Sequence, residues 1–319
     1  MKHKRDDNIE SNSFLKSTST YLKVKIPISN NYYFADNFSN NNKHALLARS
    51  LLKKGIEQQE VSQLILAVMN LQESLTLFHA DGDLQGQALA LCYLALVANN
   101  SDDYKSVISY SQQCLSLVEM TSDLRLKLQI LINLADSYHY LGDLDQAIIF
   151  FKQSLKIVKQ QQNKFNQIAI LNNLGLLYKA SGKLRRAIVL KRESLAIVRE
   201  IKDHCLEVKI LKNLADTWYD FGDYQKAITH YEEWMKISDT LNHPHHVVEV
   251  IIHLGQANHS LGNHGKAIKY YEKCLELARM LNDSRIEEQI ILSLKAAFTA
   301  LGDHRQAMMY EEMMGEIAF

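Results

Sequence analysis

Proline is almost missing from this chain: 319 residues contain two, Pro27 and Pro244, alongside only twelve glycines. Helix breakers are therefore rare, and with Leu, Ala, Ile, Lys and Gln abundant the composition predicts helix nearly throughout. Cysteine is scarce as well. Cys92, Cys114, Cys205 and Cys274 stand far apart with no CxxC and no clustered Cys/His pattern, which excludes a disulfide-framed secreted scaffold and points to a reducing compartment. No apolar run approaches the roughly 18 residues of a membrane span. No charge of either sign is in excess: 36 basic residues balance 36 acidic ones, which argues against a protein that coats nucleic acid by bulk electrostatics. Also missing are a Gly-rich phosphate loop, an HExxH helix and a nucleophile elbow, so no enzyme is expected, and neither a cofactor nor a metal.

The first residues, Lys2, His3, Lys4 and Arg5, could open a secretory signal, but Asp6, Asp7 and Asn8 follow where its apolar core belongs, so a cytoplasmic location is expected. Residues 1–42 are rich in Asn and Ser, lack helical periodicity and read as a polar, flexible N-terminal tail. Within them Tyr21–Ile28 alternates as a strand would, and could lie extended in a groove of its own protein or of a neighbour.

What is present is a repeat. Gly142, Gly182, Gly222, Gly262 and Gly302 are spaced by forty residues, each followed five residues later by Ala147, Ala187, Ala227, Ala267 or Ala307. Seven residues before each glycine stand Ala135, Gly175, Ala215, Gly255 and, out of pattern, Lys295. Seven units fit, near 43–82, 83–122, 123–162, 163–202, 203–242, 243–282 and 283–319. Each reads as two helices. In the third, Leu128, Leu131, Leu134, Ala135 and Tyr138 share one face, Gly142 supplies a left-handed stop, and Ala147, Ile148, Phe151 and Leu155 mark the second helix. Asp143, Asp223, Asn263 and Asp303 are placed to cap second helices, and Asp83, Asp123, Asn163, Asp203 and Asp283 first helices. Pro244 suits a first helical position, and Ser284 with Glu287 has capping-box spacing.

Segments such as LKNLADTWYDFGDYQKAITHYEEWMKI and IIHLGQANHSLGNHGKAIKYYEKCLELA resemble the tetratricopeptide repeat (TPR). The forty-residue form is similar to the repeats of kinesin light chain, of spindle-orientation adaptors that bind GoLoco proteins, and of many bacterial repeat proteins. The resemblance covers the chain from about residue 43 onward. It implies an all-α solenoid wound as a right-handed superhelix, with first helices lining a concave groove and second helices forming the outer wall. Lys295 departs from the pattern where Gly or Ala is expected, and Lys191 and Glu311 where an aromatic is expected.

The candidate peptide groove follows from the first helices once core positions are removed. Asn133, Asn173 and Asn213 share one repeat position, continued by His253; Asp136, Leu176, Asp216 and Gln256 lie three residues on, with Gln129, Asn172, Lys209, Lys212 and Glu249 on the same face. Asparagine is a poor helix-interior residue, and an amide can read a peptide backbone as donor and acceptor; it can equally tie neighbouring helices together. Ile132, Leu176, Ile252 and Leu292 add apolar surface, which with Lys209 and Lys212 suits an amphipathic partner carrying one acidic group.

A second surface is legible on the outer wall. Residues 163–202 hold nine Lys/Arg against two Glu, Arg185 and Arg186 among them, whereas 203–242 hold four basic and eight acidic residues. A solvated face explains such a run, and so would an acidic partner; aromatic interleaving is missing, which disfavours nucleic acid. His243, His245 and His246 give no ordered tetrahedral set. Met308, Met309, Met313, Met314, Ile317 and Phe319 crowd the last helix, so a weak homodimer through this Met-rich end is expected, with Met309 and Met313 at its centre. The expected function is a non-enzymatic adaptor that holds a segment of a partner protein in the groove. The alternative is a regulatory sensor whose superhelix changes when it binds a peptide or small effector.

Overall fold

A computed structural model describes residues 43–241 and 244–317, the side chains of 239–246 and 315–319 excepted. The tail, its Tyr21–Ile28 stretch and the His243/His245/His246 cluster lie outside what is described. Every element among the described residues is an α-helix. In chain order they are α1 Lys43–Glu60, α2 Leu64–Ala80, α3 Leu84–Asn100, α4 Tyr104–Thr121, α5 Leu124–Tyr140, α6 Leu144–Gln160, α7 Lys164–Ala180, α8 Leu184–Ile201, α9 His204–Asp220, α10 Tyr224–Leu241, α11 Pro244–Ser260, α12 His264–Met280, α13 Ser284–Leu301 and α14 His304–Ile317. The fold is an all-α repeat solenoid. The chain divides into two compact units, one ending at Ser181 and one beginning at Gly182, so the break falls between α7 and α8, inside the fourth helix pair. Nothing in the sequence marks that division.

Within each unit a helix packs chiefly on its chain neighbours, and in the first unit α3 also touches α1 on one side and α5 on the other, so first helices lie beside first helices. Turns recur every twenty residues, each with one left-handed residue: glycine at 82, 142, 182, 222, 262 and 302, and Ser62, Asp102, Ser122, Gln162, Lys202 or Asn282 elsewhere. Helix starts follow at once. Carboxylate or amide oxygens of Asp83, Asp103, Asp123, Asp143, Asn163, Asp203, Asp223, Asp283 and Asp303 accept first-turn backbone N–H groups at 2.9 to 3.2 Å. Two sequence expectations fail here. Asn263 makes no side-chain cap. The Ser284/Glu287 box does not form either, because Asp283 is the cap and Glu287 instead accepts from Arg279 Nε at 2.8 Å.

Within a pair, the contact that sets helix spacing joins residues sixteen apart. A Cβ added at Gly255 would lie 2.4 Å from Tyr271 Cε1, and one at Gly55 would lie 2.7 Å from Leu71 Cγ. Ala135 with Phe151 and Ala215 with Tyr231 hold the same two positions, all four buried. The last pair solves the problem differently. Lys295 and Glu311, the two departures from pattern, meet each other at 2.6 Å as an ion pair. Small residues at Ala187, Ala227 and Ala267 are fully buried, as the close approach of helices requires.

Two glycine substitutions separate backbone from packing. Gly142→Ala, whose φ is +85° and whose added Cβ meets nothing within 4 Å, is expected to cost about 1 kcal/mol through backbone conformation alone. Gly255→Leu is expected to cost about 3 kcal/mol by overpacking. Urea denaturation measures both, and a Gly255→Leu protein as stable as the parent would mean the Tyr271 ring can leave its place.

Candidate functional site

The residues picked out on first helices do not share one environment. Asn172 and Asn173 are fully buried and Asn213 is 2% exposed. Asn172 Nδ2 lies 3.4 Å from Asn173 Oδ1. The Asn213 carbonyl accepts both the Thr217 hydroxyl at 2.6 Å and the Lys191 ammonium at 2.8 Å. These amides have no surface to offer a partner, so direct reading of a peptide by all three in register is corrected: the repeat position lies one residue inside the packed face. Asn133 is nearly buried too, accepting from Gln129 Nε2 at 2.8 Å, while Asp136 and Leu176 beside these positions are half-buried. Lys191, in an aromatic's place, is buried whole, its aliphatic stem filling the space and its head reaching the Asn213 carbonyl.

The second unit brings the remaining candidates together. On α9, Lys209, Lys212 and Asp216 follow at three and four residues, so they share a face; on α11, Glu249, His253 and Gln256 do likewise. The two faces meet. Lys212 pairs with Glu249, and His253 Nδ1 lies 3.9 Å from Asp216 Oδ1. Below them α10 supplies an aromatic floor. The Tyr231 hydroxyl donates to Asp216 at 2.6 Å, and the Tyr231 ring stacks on His253 with centroids 5.2 Å apart. Lys212 Nζ stands 5.8 Å from the centre of the Trp234 ring. Burial, then the charge of Asp216, pushes the Tyr231 hydroxyl far up from its ordinary value, so it stays protonated and acts as a donor. Lys209 is exposed and Gln256 half-buried, and among the described residues neither side chain has a hydrogen-bond or ion-pair partner. Lys212, by contrast, is already neutralised by Glu249, so an incoming acid would have to displace a carboxylate there.

The polar residues of this face are among those picked out from the sequence; the aromatic side chains beneath them are not. Trp234 occupies the position of Ser74, Cys114, Ser154, Ser194 and Cys274, all buried. Ser74 and Cys114 donate to the carbonyls of Ala48 and Ala88, twenty-six residues earlier. The Trp234 indole N–H is buried and finds no acceptor among the described residues. The size anomaly in that series was the available signal.

On the second helices, Arg185 and Arg186 are exposed, with the Arg185 guanidinium 5.8 Å from the centre of the Phe221 ring. At the C-terminal end Met308 and Met309 are 61% and 43% exposed, whereas Met313 and Met314 pack onto the core formed by Tyr271, Leu294 and Tyr310. Met313 is thus part of the fold more than of a surface. No helix of the described residues is long and apolar enough to cross a membrane. No group of three or more His, Cys, Asp or Glu among them is arranged to hold a metal.

A family model described as the MalT-like TPR region matches residues 88–310. No curated protein matches the chain significantly. Solved structures of similar fold include a Signal Transduction ATPase with Numerous Domains (STAND) protein with a tetratricopeptide repeat sensor, from Pyrococcus horikoshii. It is 14% identical with a TM-score of 0.66, over 84% of this chain and 42% of that one. The apo form of RapI is 13% identical with a TM-score of 0.65, over 85% of this chain and 76% of that one. A protein described as a kinesin light chain with nearly identical TPR-like repeats, from Podosopora anserina, is 20% identical with a TM-score of 0.54, over 60% of this chain and 95% of that one. The chain spans less than half the length of the STAND protein.

Two measurements probe the interior. Burial pushes the Cys114 and Cys274 thiols up to about 12 and Cys92 well above its ordinary value, while Cys205 is exposed. A thiol reagent at neutral pH should therefore label Cys205 rapidly and the other three only after denaturation. Burial also lowers the pKa of His139, His230 and His259. Each binds its proton more readily in the unfolded chain, so stability is full above roughly pH 6.5 and falls as pH drops below it. Melting temperatures from pH 7.5 down to 5 should decline, and His230→Gln should flatten the slope.

Proposed function

Since the chain belongs to the MalT-like TPR region family, we propose that it is a non-enzymatic, cytoplasmic adaptor that binds a segment of a partner protein along the first helices of its second unit. One observation carries this reading: the α9 and α11 faces join into a polar rim of Lys212, Glu249, Asp216 and His253 over the buried aromatic floor of Tyr231 and Trp234. The buried rings hold the rim in place from beneath, and the rim itself supplies the polar surface that a partner would meet. Lys209 and Gln256 supply the contacts that a partner's carboxylate and backbone would take up. The exposed Met308 and Met309 offer a weaker second contact, through which two copies associate. A sensor reading draws on the repeat sensor named in the Pyrococcus protein, in which binding to the same face would alter the stacking of helix pairs.

The test compares wild type with Lys209→Ala/Gln256→Ala, two side chains without structural partners. After far-UV circular dichroism shows equal helicity, each is used to capture proteins from native lysate. A protein retained by wild type and lost by the variant supports the groove and identifies its occupant. Identical capture by both removes the α9/α11 face as the binding surface.

A further inference from the structure

The second helices α10 and α12 flank an open cleft of about 450 Å³ that the repeat pattern does not announce. Ile228 and Glu232 line it from α10, and Lys266, Lys269, Tyr270 and Lys273 from α12. The three lysines follow at three and four residues, so their ammonium groups form a row along one helix face, roughly 10 Å from first to last at 1.5 Å of rise per residue. Among the described residues none of the three has a hydrogen-bond or ion-pair partner for its side chain. Three cations therefore face one carboxylate, Glu232, in a chain of zero net charge. The adjoining start of α12 adds to the same sign, because Asn263 leaves the first-turn N–H groups without a side-chain cap.

The shape of this charge selects its complement. An extended peptide sets alternate side chains on one face roughly 7 Å apart, so two carboxylates on that face fall within reach of the lysine row. Between the charges, Ile228 and the Tyr270 ring give apolar surface for an intervening side chain. Burial, with the charge of Glu232, raises the Tyr270 pKa, so its hydroxyl is a donor and adds no negative charge.

We propose that this cleft is a second docking site, one that takes an acidic segment of a partner protein with its carboxylates on Lys266, Lys269 and Lys273 and an apolar side chain against Ile228 and Tyr270. The experiment is fluorescence anisotropy of a short fluorescein-labelled peptide of Asp, Glu and Leu titrated with the full chain. Saturable binding is expected, weakening as salt rises. It should fall at least about tenfold in Lys266→Ala/Lys269→Ala/Lys273→Ala, survive in the matching Lys→Arg variant, and persist in Lys209→Ala/Gln256→Ala. All three lysines are exposed, and equal helicity of the variants is checked by circular dichroism. Unchanged binding by the alanine variant, or no binding by wild type, overturns the proposal. Loss confined to the Lys209→Ala/Gln256→Ala variant also overturns it and moves the acidic ligand to the groove. Tripolyphosphate binding to the cleft without peptide binding overturns it in favour of a small phosphate ligand. The groove reading stands or falls separately on its own variant.

Discussion

Close approach of two helices, sixteen residues apart in register, is the constraint on which the rest of this molecule depends. Where Gly255 meets the Tyr271 ring and Gly55 meets Leu71, there is no room for a methyl group. That contact fixes the distance between paired helices, and the distance fixes which residues of a first helix are covered. The aromatic side chain lodged there is buried along its length, to its far edge. At Tyr231 that edge carries a hydroxyl, which reaches Asp216 and anchors the polar rim. Helix spacing and the polar rim are thus joined through one side chain.

Much of the fold was legible because its signals are local and repeat. A left-handed residue, an Asp or Asn after it and a small residue five positions later are each dictated by backbone sterics or by unsatisfied N–H groups, so they read directly from the chain. The exceptions are instructive. Asn263 has the right side chain in the right place and does not cap, and Glu287 has capping-box spacing but is drawn to Arg279 by charge. Both failures are choices between partners of similar energy, which spacing alone does not rank.

The site was legible in outline and not in depth. Helical spacing correctly grouped Lys209, Lys212 and Asp216 on one face and Glu249, His253 and Gln256 on another, but it does not report how far a position sits below the surface. Asn173 and Asn213 share that repeat position, and neighbouring helices cover them. Pairing across helices was equally hidden: Lys212 with Glu249 and Lys295 with Glu311 join residues thirty-seven and sixteen apart. The lysine row on α12 was overlooked for the opposite reason, since the surrounding sequence is not unusually basic and only the cleft singles it out.

The ion pair of Lys295 and Glu311 gives the last helix pair a character unlike the others. Elsewhere the residues at the same juncture are buried, Lys191 among them, and so are shielded from the ions around them. Here the two side chains are 37% and 62% exposed, and their attraction is shared with whatever counterions the solution provides. The cohesion of α14 with α13 is therefore set in part by the surrounding medium. Ionic strength is the handle on this contact.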